Sequence, residues 1–397
     1  MGVAKGKLIY IVYVSLFVLY SLISALWAET SAAKIVLGVI FAWSAFIYIQ
    51  VLSKYKMNIY LRGLNVLFLF FLISGILLLF SGEVLFVELT DEHIPNYTYL
   101  KYIIKSLLPI FACYMFARTN RIGKKTFLVI YIIYFVFAIV SLVQISLTQQ
   151  MLTGETSTNN AGYSFLFLMP LLLFIDKKWS VLFWILSFAI IFVAQKRGAI
   201  IIALITSLPI IWGVFKDFIL KNKTRFVFLL ILVVVLLGWS VSDFYKSSEI
   251  MQARVEQTKE GGTSGRDRIF NTLWTQYTER YDITEKMVGS GANSTLKYAG
   301  NYAHNDWLEI LMNQGLLGLI VYFYYWVCFF TMWHRMKKGS QGVSLPFGIV
   351  IIIYFISSFF SMSYSSYTLP IAMVLGYCLA EYERQERGEK IQLKTAR

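Results

Sequence analysis

Apolar runs wide enough to cross about 30 Å of hydrocarbon recur along the whole chain, and no other feature limits its fold so tightly. In lipid each backbone N–H and C=O must find a partner within the protein, and a run of this length meets that demand as a helix. The runs fall near residues 8–28, 35–52, 64–80, 102–117, 126–145, 161–175, 179–193, 199–214, 226–241, 307–333, 345–360 and 367–380. The pattern predicts an all-α polytopic membrane protein of about twelve transmembrane helices. Lys5 and Lys7 stand ahead of the first run, which is long enough to span and reads as a first helix rather than a cleaved leader. Composition agrees: 58% of the residues are hydrophobic and 15% charged, against about 25% charged in an average soluble chain. A soluble globular fold is excluded.

The formal net charge of +14 would suit a nucleic-acid binder if the cations shared one surface. They do not. With a cytoplasmic N-terminus, the basic residues gather in alternate connections: Lys54 to Arg62, Arg118 to Lys125, Lys177 and Lys178, Lys216 to Arg225, Arg335 to Lys338, and the tail from Arg384. That side takes twenty-three of the 36 basic residues and six of the 22 acids. The bias is the positive-inside signature, so the charge reports orientation, places both termini in the cytoplasm and implies no nucleic acid. Three regions follow: an N-terminal bundle of about nine spans (1–241), a long outer loop with an amphipathic helix (242–306), and a C-terminal bundle of about three spans with a cytoplasmic tail (307–397). A connection as long as 242–306 inside a compact membrane domain is usually functional.

Three groups break the pattern. Lys196 and Arg197 occupy a short connection that the alternation puts outside, against the positive-inside bias. Two readings are open there, a snorkelling or misassigned pair and an outward-facing anion site. Next, residues 261–265 form a Gly/Ser/Thr stretch that runs into Arg266-Asp267-Arg268, with Ile269, Leu273, Trp274 and Tyr277 at helical spacing. Ser264 is a plausible N-cap, the free N–H groups of a helix start attract phosphate, and Arg266 would add a planar two-pronged donor. A plain turn before an amphipathic helix accounts for the stretch equally well. Third, Gly289-Ser290-Gly291 precedes His304-Asn305-Asp306-Trp307-Leu308-Glu309 at the mouth of the tenth span. His304 reads either as an interfacial imidazole or as a group that moves a proton, with Asn305 and Asp306 beside it.

No metal site stands out. Asp91-Glu92-His93 is an acidic loop whose simplest reading is a solvated face, and His304, Asp306 and Glu309 cannot share one helical face. Cys113, Cys328 and Cys378 all lie within spans, so free thiols are expected.

Taken together, these residues resemble the O-antigen ligase and O-antigen polymerase family, which finishes lipid-linked bacterial glycans on the outer side of the inner membrane. The resemblance runs over about residues 158–319: Thr158-Asn159-Asn160 ahead of a span, Arg197 between two spans, Ser264-Gly265-Arg266, Gly289-Ser290-Gly291, His304-Asn305-Asp306-Trp307-Leu308, and Gly315-Leu316-Leu317-Gly318. It implies a C-type, inverting, metal-independent glycosyltransferase with no cofactor. The donor would be a glycan on polyprenyl (undecaprenyl) diphosphate, and the acceptor a lipid A core or a lipid-linked repeat. Arg197 and Arg266 would hold the donor pyrophosphate and His304 would be the catalytic base. Lys196, Arg268, Asn160, Asn305 and Asp306 are further candidates around them. Two guanidiniums can stabilise charge growing on a diphosphate leaving group without a divalent ion. The competing class is a polysaccharide flippase or other transporter, whose marks would be inverted repeats, broken helices in matched positions and ions near midspan. The chain shows none of these, and its unusual ions sit at the outer interface.

Overall fold

The computed structural model describes residues 3–27, 30–80, 85–87, 92–119, 122, 124–153, 161–194, 196–221, 266–339 and 341–395. Eleven of the twelve expected spans coincide with helices, and the ninth, 226–241, lies outside the described residues. The chain opens with α1 (Val3–Trp27), α2 (Ser31–Lys54) and α3 (Ile59–Phe80). A short antiparallel hairpin of β1 (Leu85–Val87) and β2 (Glu92–Ile94) follows, the sole departure from an all-helical chain among the described residues. Then come α4 (Tyr97–Arg118), α5 (Lys124–Thr153) and α6 (Ala161–Leu168). Pro170 has no N–H to offer an α-helical ladder, and α6 tightens there into a 3-10 turn over Met169–Phe174. After α7 (Lys177–Val193) and α8 (Arg197–Lys221), three short helices, α9 (Arg266–Thr275), α10 (Ile283–Val288) and α11 (Ser294–Ala299), lead into α12 (Asp306–Gly339), α13 (Gln341–Ser357) and α14 (Leu369–Thr395).

By length and composition α2, α3, α4, α5 and α12 can each cross a membrane, and the apolar stretches of α1, α6, α8 and α13 are shorter. Outward faces carry large apolar side chains, among them Ile35, Ile49, Leu77, Val129, Leu208 and Phe323. Exposed apolar area on this scale needs a lipid solvent, and the chain is an integral membrane protein. Its centre is α4 against α14. Residues 106–117 of α4 are buried on every side. The two helices cross at Gly376, where a Cβ would come within 2.5 Å of the Cys113 and Tyr114 backbone. Only a glycine lets the backbones approach so closely, and dispersion between them then holds the crossing.

Two ends of the bundle differ in chemistry. At one, Arg118 closes α4 with an ion pair to Glu383 of α14, and the same carboxylate accepts from Tyr114 Oη at 2.8 Å and Asn58 Nδ2 at 3.0 Å. Three connections expected in the cytoplasm are thereby gathered together. At the other end, a small apolar cluster of Leu273, Tyr281, Ala303, Leu308 and Met312, with Tyr298 and Ala299 of α11 beside it, packs α9 and α11 onto the start of α12. Of the expected amphipathic stripe, Leu273 is buried and Ile269 and Tyr277 pack against it, while Trp274 faces out.

Candidate active site

A break in α12 builds the loop that carries His304. Gly315 has φ 65°, ψ −162° in the middle of that helix, so carbonyls just before it need donors from elsewhere. The Gly289-Ser290-Gly291 turn supplies them: Ser290 N donates to Met312 O and Gly291 N to Asn313 O, both at 3.1 Å. Gly289 and Gly315 meet back to back, and a Cβ on either would lie about 2.5 Å or less from the other strand of backbone. From there the loop is clasped by two side chains of α12. Asn313 Oδ1 accepts from Ser294 N at 2.9 Å and from its Oγ at 2.8 Å. Glu309 accepts from Thr295 Oγ1 at 2.7 Å, Ala303 N at 2.9 Å and Asn313 Nδ2 at 3.0 Å.

His304 comes directly after this clasp, with φ 51°, in the left-handed region that a side chain rarely adopts. Both sides of it are fixed. Asn305 Oδ1 accepts from Leu308 N at 3.0 Å and caps α12, and Asp306 is wholly buried. Its carboxylate accepts from Ser363 N at 2.7 Å, Tyr322 Oη at 2.7 Å, Tyr364 N at 3.1 Å and the Ser363 hydroxyl. The Asp306 amide donates to Ser358 O at 2.8 Å. These bonds tie the start of α12 to the Ser/Thr-rich turn between α13 and α14. A strained residue held by neighbours on both sides is a preorganised one.

His304 faces a cavity of about 510 Å³ at this end of the bundle. Arg266, the first residue of α9, lines it, as do Lys196 from the connection between α7 and α8, and Lys105 from α4. Arg266 Nη1 also reaches Phe360 O at 3.3 Å. No acidic side chain is among the described residues lining this space. The imidazole of His304 is held below the usual histidine range by burial first, then by Arg266 and by Lys196. It is therefore neutral at neutral pH and able to accept a proton. Cations for an anionic group and a neutral base beside them can together stabilise a leaving anion and deprotonate a hydroxyl.

Of the residues singled out in the sequence, Arg266, Lys196 and His304 meet in the cavity. Arg197 begins α8 beside it, with its side chain outside the described residues. Its neighbour Gly198 lies against Tyr163 of the cavity wall. Asn160 and residues 261–265 lie outside the described residues. Arg268 is exposed on α9, and Asn305 and Asp306 serve the loop from behind rather than lining the space. Among the described residues no group of three metal-ligating side chains is assembled, and Asp91 lies outside them. Sequence reasoning passed over Lys105, although a lysine inside an apolar run is itself a signal. It also passed over the turn of residues 358–368, where Ser361, Ser363, Ser365, Ser366 and Thr368 form much of the wall. The buried hydroxyls of Ser357 and Thr368 line the same space and have no protein partner. The three cysteines are free and buried.

No curated protein matches the chain. Residues 181–323, which hold Lys196, Arg197, Arg266 and His304, match the model of the family described as O-antigen ligase, the family that the chain's motifs resemble.

Proposed function

We propose that the protein transfers a glycan from a polyprenyl-diphosphate donor to an acceptor hydroxyl, in the assembly of O-antigen or another surface polysaccharide. The cavity that joins His304 to Arg266, Lys196 and Lys105 carries this reading. In the reaction a His304 ring nitrogen takes the proton of the acceptor hydroxyl as that oxygen attacks C1 of the donor sugar. The C1–O bond to the diphosphate breaks, and its electron pair leaves with the polyprenyl diphosphate. Attack from the face opposite the leaving group inverts C1. Arg266, Lys196 and the adjacent Arg197 meet the growing charge, and cations already fixed in place do this better than solvent that must first reorient. With cations in these positions, the leaving group is neutralised without a divalent metal. The glycan's free energy is already stored in the donor, so no nucleotide or other cofactor is required.

In this reading the His304 end faces the periplasm of the bacterial inner membrane, the Arg118–Glu383 end and both termini face the cytoplasm, and residues 242–306 form the outer region between two bundles. The deciding experiment uses purified full-length protein, a lipid-diphosphate-linked glycan and an acceptor. Arg266→Ala should abolish transfer at normal protein levels, and Arg266→Lys should restore little, because a point charge cannot replace a planar fork. Near-normal transfer by Arg266→Ala would remove the phosphate clamp from the mechanism. Ligase and polymerase differ only in acceptor: a deletion strain left with a bare lipid A core identifies a ligase, and one left with a single repeat a polymerase.

A further inference from the structure

A second cavity, of about 400 Å³, lies beside the first, between α1, α2 and α4. The two share a wall of Tyr20, Tyr102 and Lys105, whose ammonium stands 5.5 Å from the centre of the Tyr20 ring and 5.8 Å from that of Tyr102. Lys34 and Lys101 add two further cations, and no acidic residue is among the described ones lining the space. Lys34 lies in the first turn of α2 and Lys101 just past the first turn of α4, and neither helix has an acid in that turn. A helix start already carries about half a positive charge, which carboxylates usually offset and lysines augment. Lys101 and Lys105, four residues apart, share one face of α4. Positive potential from two helix starts and three side chains therefore converges on one space.

The rest of the lining is apolar. Ala33, Leu37, Gly38 and Phe41 run about 12 Å down α2, away from the lysines and along the hydrocarbon direction. Gly38 is the telling residue. A Cβ there would meet nothing within 4 Å, although glycine inside a helix costs about 1 kcal/mol relative to alanine. The result is an open notch below a ring of cations, a shape that suits a phosphate head with a hydrocarbon tail.

We propose that this second cavity binds the phosphate of a second lipid, its head on Lys34, Lys101 and Lys105 and its first carbons in the Gly38 notch, and that this lipid anchors the acceptor. The occupancy claim stands on the cavity itself, and the identification as acceptor rests on the transfer reaction proposed above.

The two are tested separately. Farnesyl diphosphate binding to the full-length protein in detergent, read by calorimetry, should show two equivalents. Gly38→Leu starts from a Cβ that meets nothing within 4 Å and leaves every lysine in place, so it should remove one equivalent while the thermal transition stays put. Lys34→Ala with Lys101→Ala should weaken that same equivalent at least tenfold, and Arg266→Ala should weaken the other. A single equivalent in the wild type, or two retained in Gly38→Leu, overturns the site. For the source, phosphatidylglycerol in bicelles is added as competitor and transfer is measured in parallel. An equivalent that resists phosphatidylglycerol, with a KM at least tenfold higher for a lipid-phosphate acceptor in Gly38→Leu and an unchanged donor KM, supports the acceptor. Ready displacement by phosphatidylglycerol with unchanged acceptor KM makes the occupant a bulk headgroup and overturns that part.

Discussion

The contact between Gly289 and the broken part of α12 sets a measurable stability difference. In Gly289→Ala the new Cβ would stand 2.4 Å from Asn313 C, Asn313 O and Gln314 N, all backbone atoms that no rotamer change can move. The residue also has φ 77°, ψ 174°, a region open in practice to glycine alone, which costs roughly 1–3 kcal/mol for any other residue. To relieve the overlap the turn must lift off α12, and the bonds from Ser290 N to Met312 O and Gly291 N to Asn313 O go with it, at about 1 kcal/mol each. A loss of about 4 kcal/mol is expected. Gly291→Ala is the control, since φ there is 95° but a Cβ meets nothing within 4 Å. It bears only the backbone cost, roughly 1–2 kcal/mol. Both variants are compared with wild type by denaturant unfolding in one detergent, with glycan transfer measured at a temperature where all three are folded. Gly289→Ala should be the less stable of the two by about 2 kcal/mol or more and should lose transfer, because the loop it releases carries His304. Equal stability of the two variants, or normal transfer by Gly289→Ala, would show that this backbone contact does not position His304.

His304→Gln should lower turnover by about 10²–10⁴-fold while donor binding persists, and turnover near wild type would recast the imidazole as a positioning group. Because its pKa lies below the ordinary histidine value, His304 stays neutral as pH falls to about 6.5, and activity should drop only below that. Arg266→Gln removes one of the cations that disfavour the charged ring, so the NMR titration midpoint of His304 should move up in that variant. A midpoint that stays or moves down contradicts the placement of Arg266. Asp306→Asn replaces an acceptor of four hydrogen bonds, and a buried donor left unmade costs about 1–3 kcal/mol. Marked destabilisation with weakened transfer is expected, and a variant as stable as wild type would show the network to be dispensable. For orientation, Lys338→Cys and Asn301→Cys in a thiol-free background should be respectively shielded from and labelled by an impermeant reagent in spheroplasts, and the reverse pattern would invert the topology.

Much of the helical frame can be read from the chain because crossing a bilayer is a local demand, met or failed within one run of residues. Eleven expected spans therefore coincide with helices. The kink at Gly315 is of another kind. A glycine four residues past Leu311 reads as an ordinary helix position until Gly289 is known to press against it from 26 positions away. His304 and Arg266 stood out by their type and by the turns ahead of them, and the cavity brings both together. Asp306 and Glu309 stood out for the same reason, yet their spacing of three puts them on one face of α12, turned into the protein and away from the cavity. Lys105 escaped notice because it lies on α4, nearly 200 positions from His304, and what joins the two is the crossing of helices rather than any motif. The Ser/Thr turn at 358–368 was hidden in the same way, between two spans and without a pattern of its own.

The place of α14 bears on how the protein is made. This helix leaves the ribosome after every other described helix, yet it lies in the middle of the bundle, its Gly376 against the backbone of α4 and its Glu383 locked to Arg118. Until it arrives, α4 has no partner along its most tightly packed face and the turn that anchors Asp306 has no second support. Helices inserted early must wait in the membrane for a keystone delivered after them. A chain that stops short of Leu369 is therefore not a smaller version of the protein but an unfinished one, with an open seam beside α4.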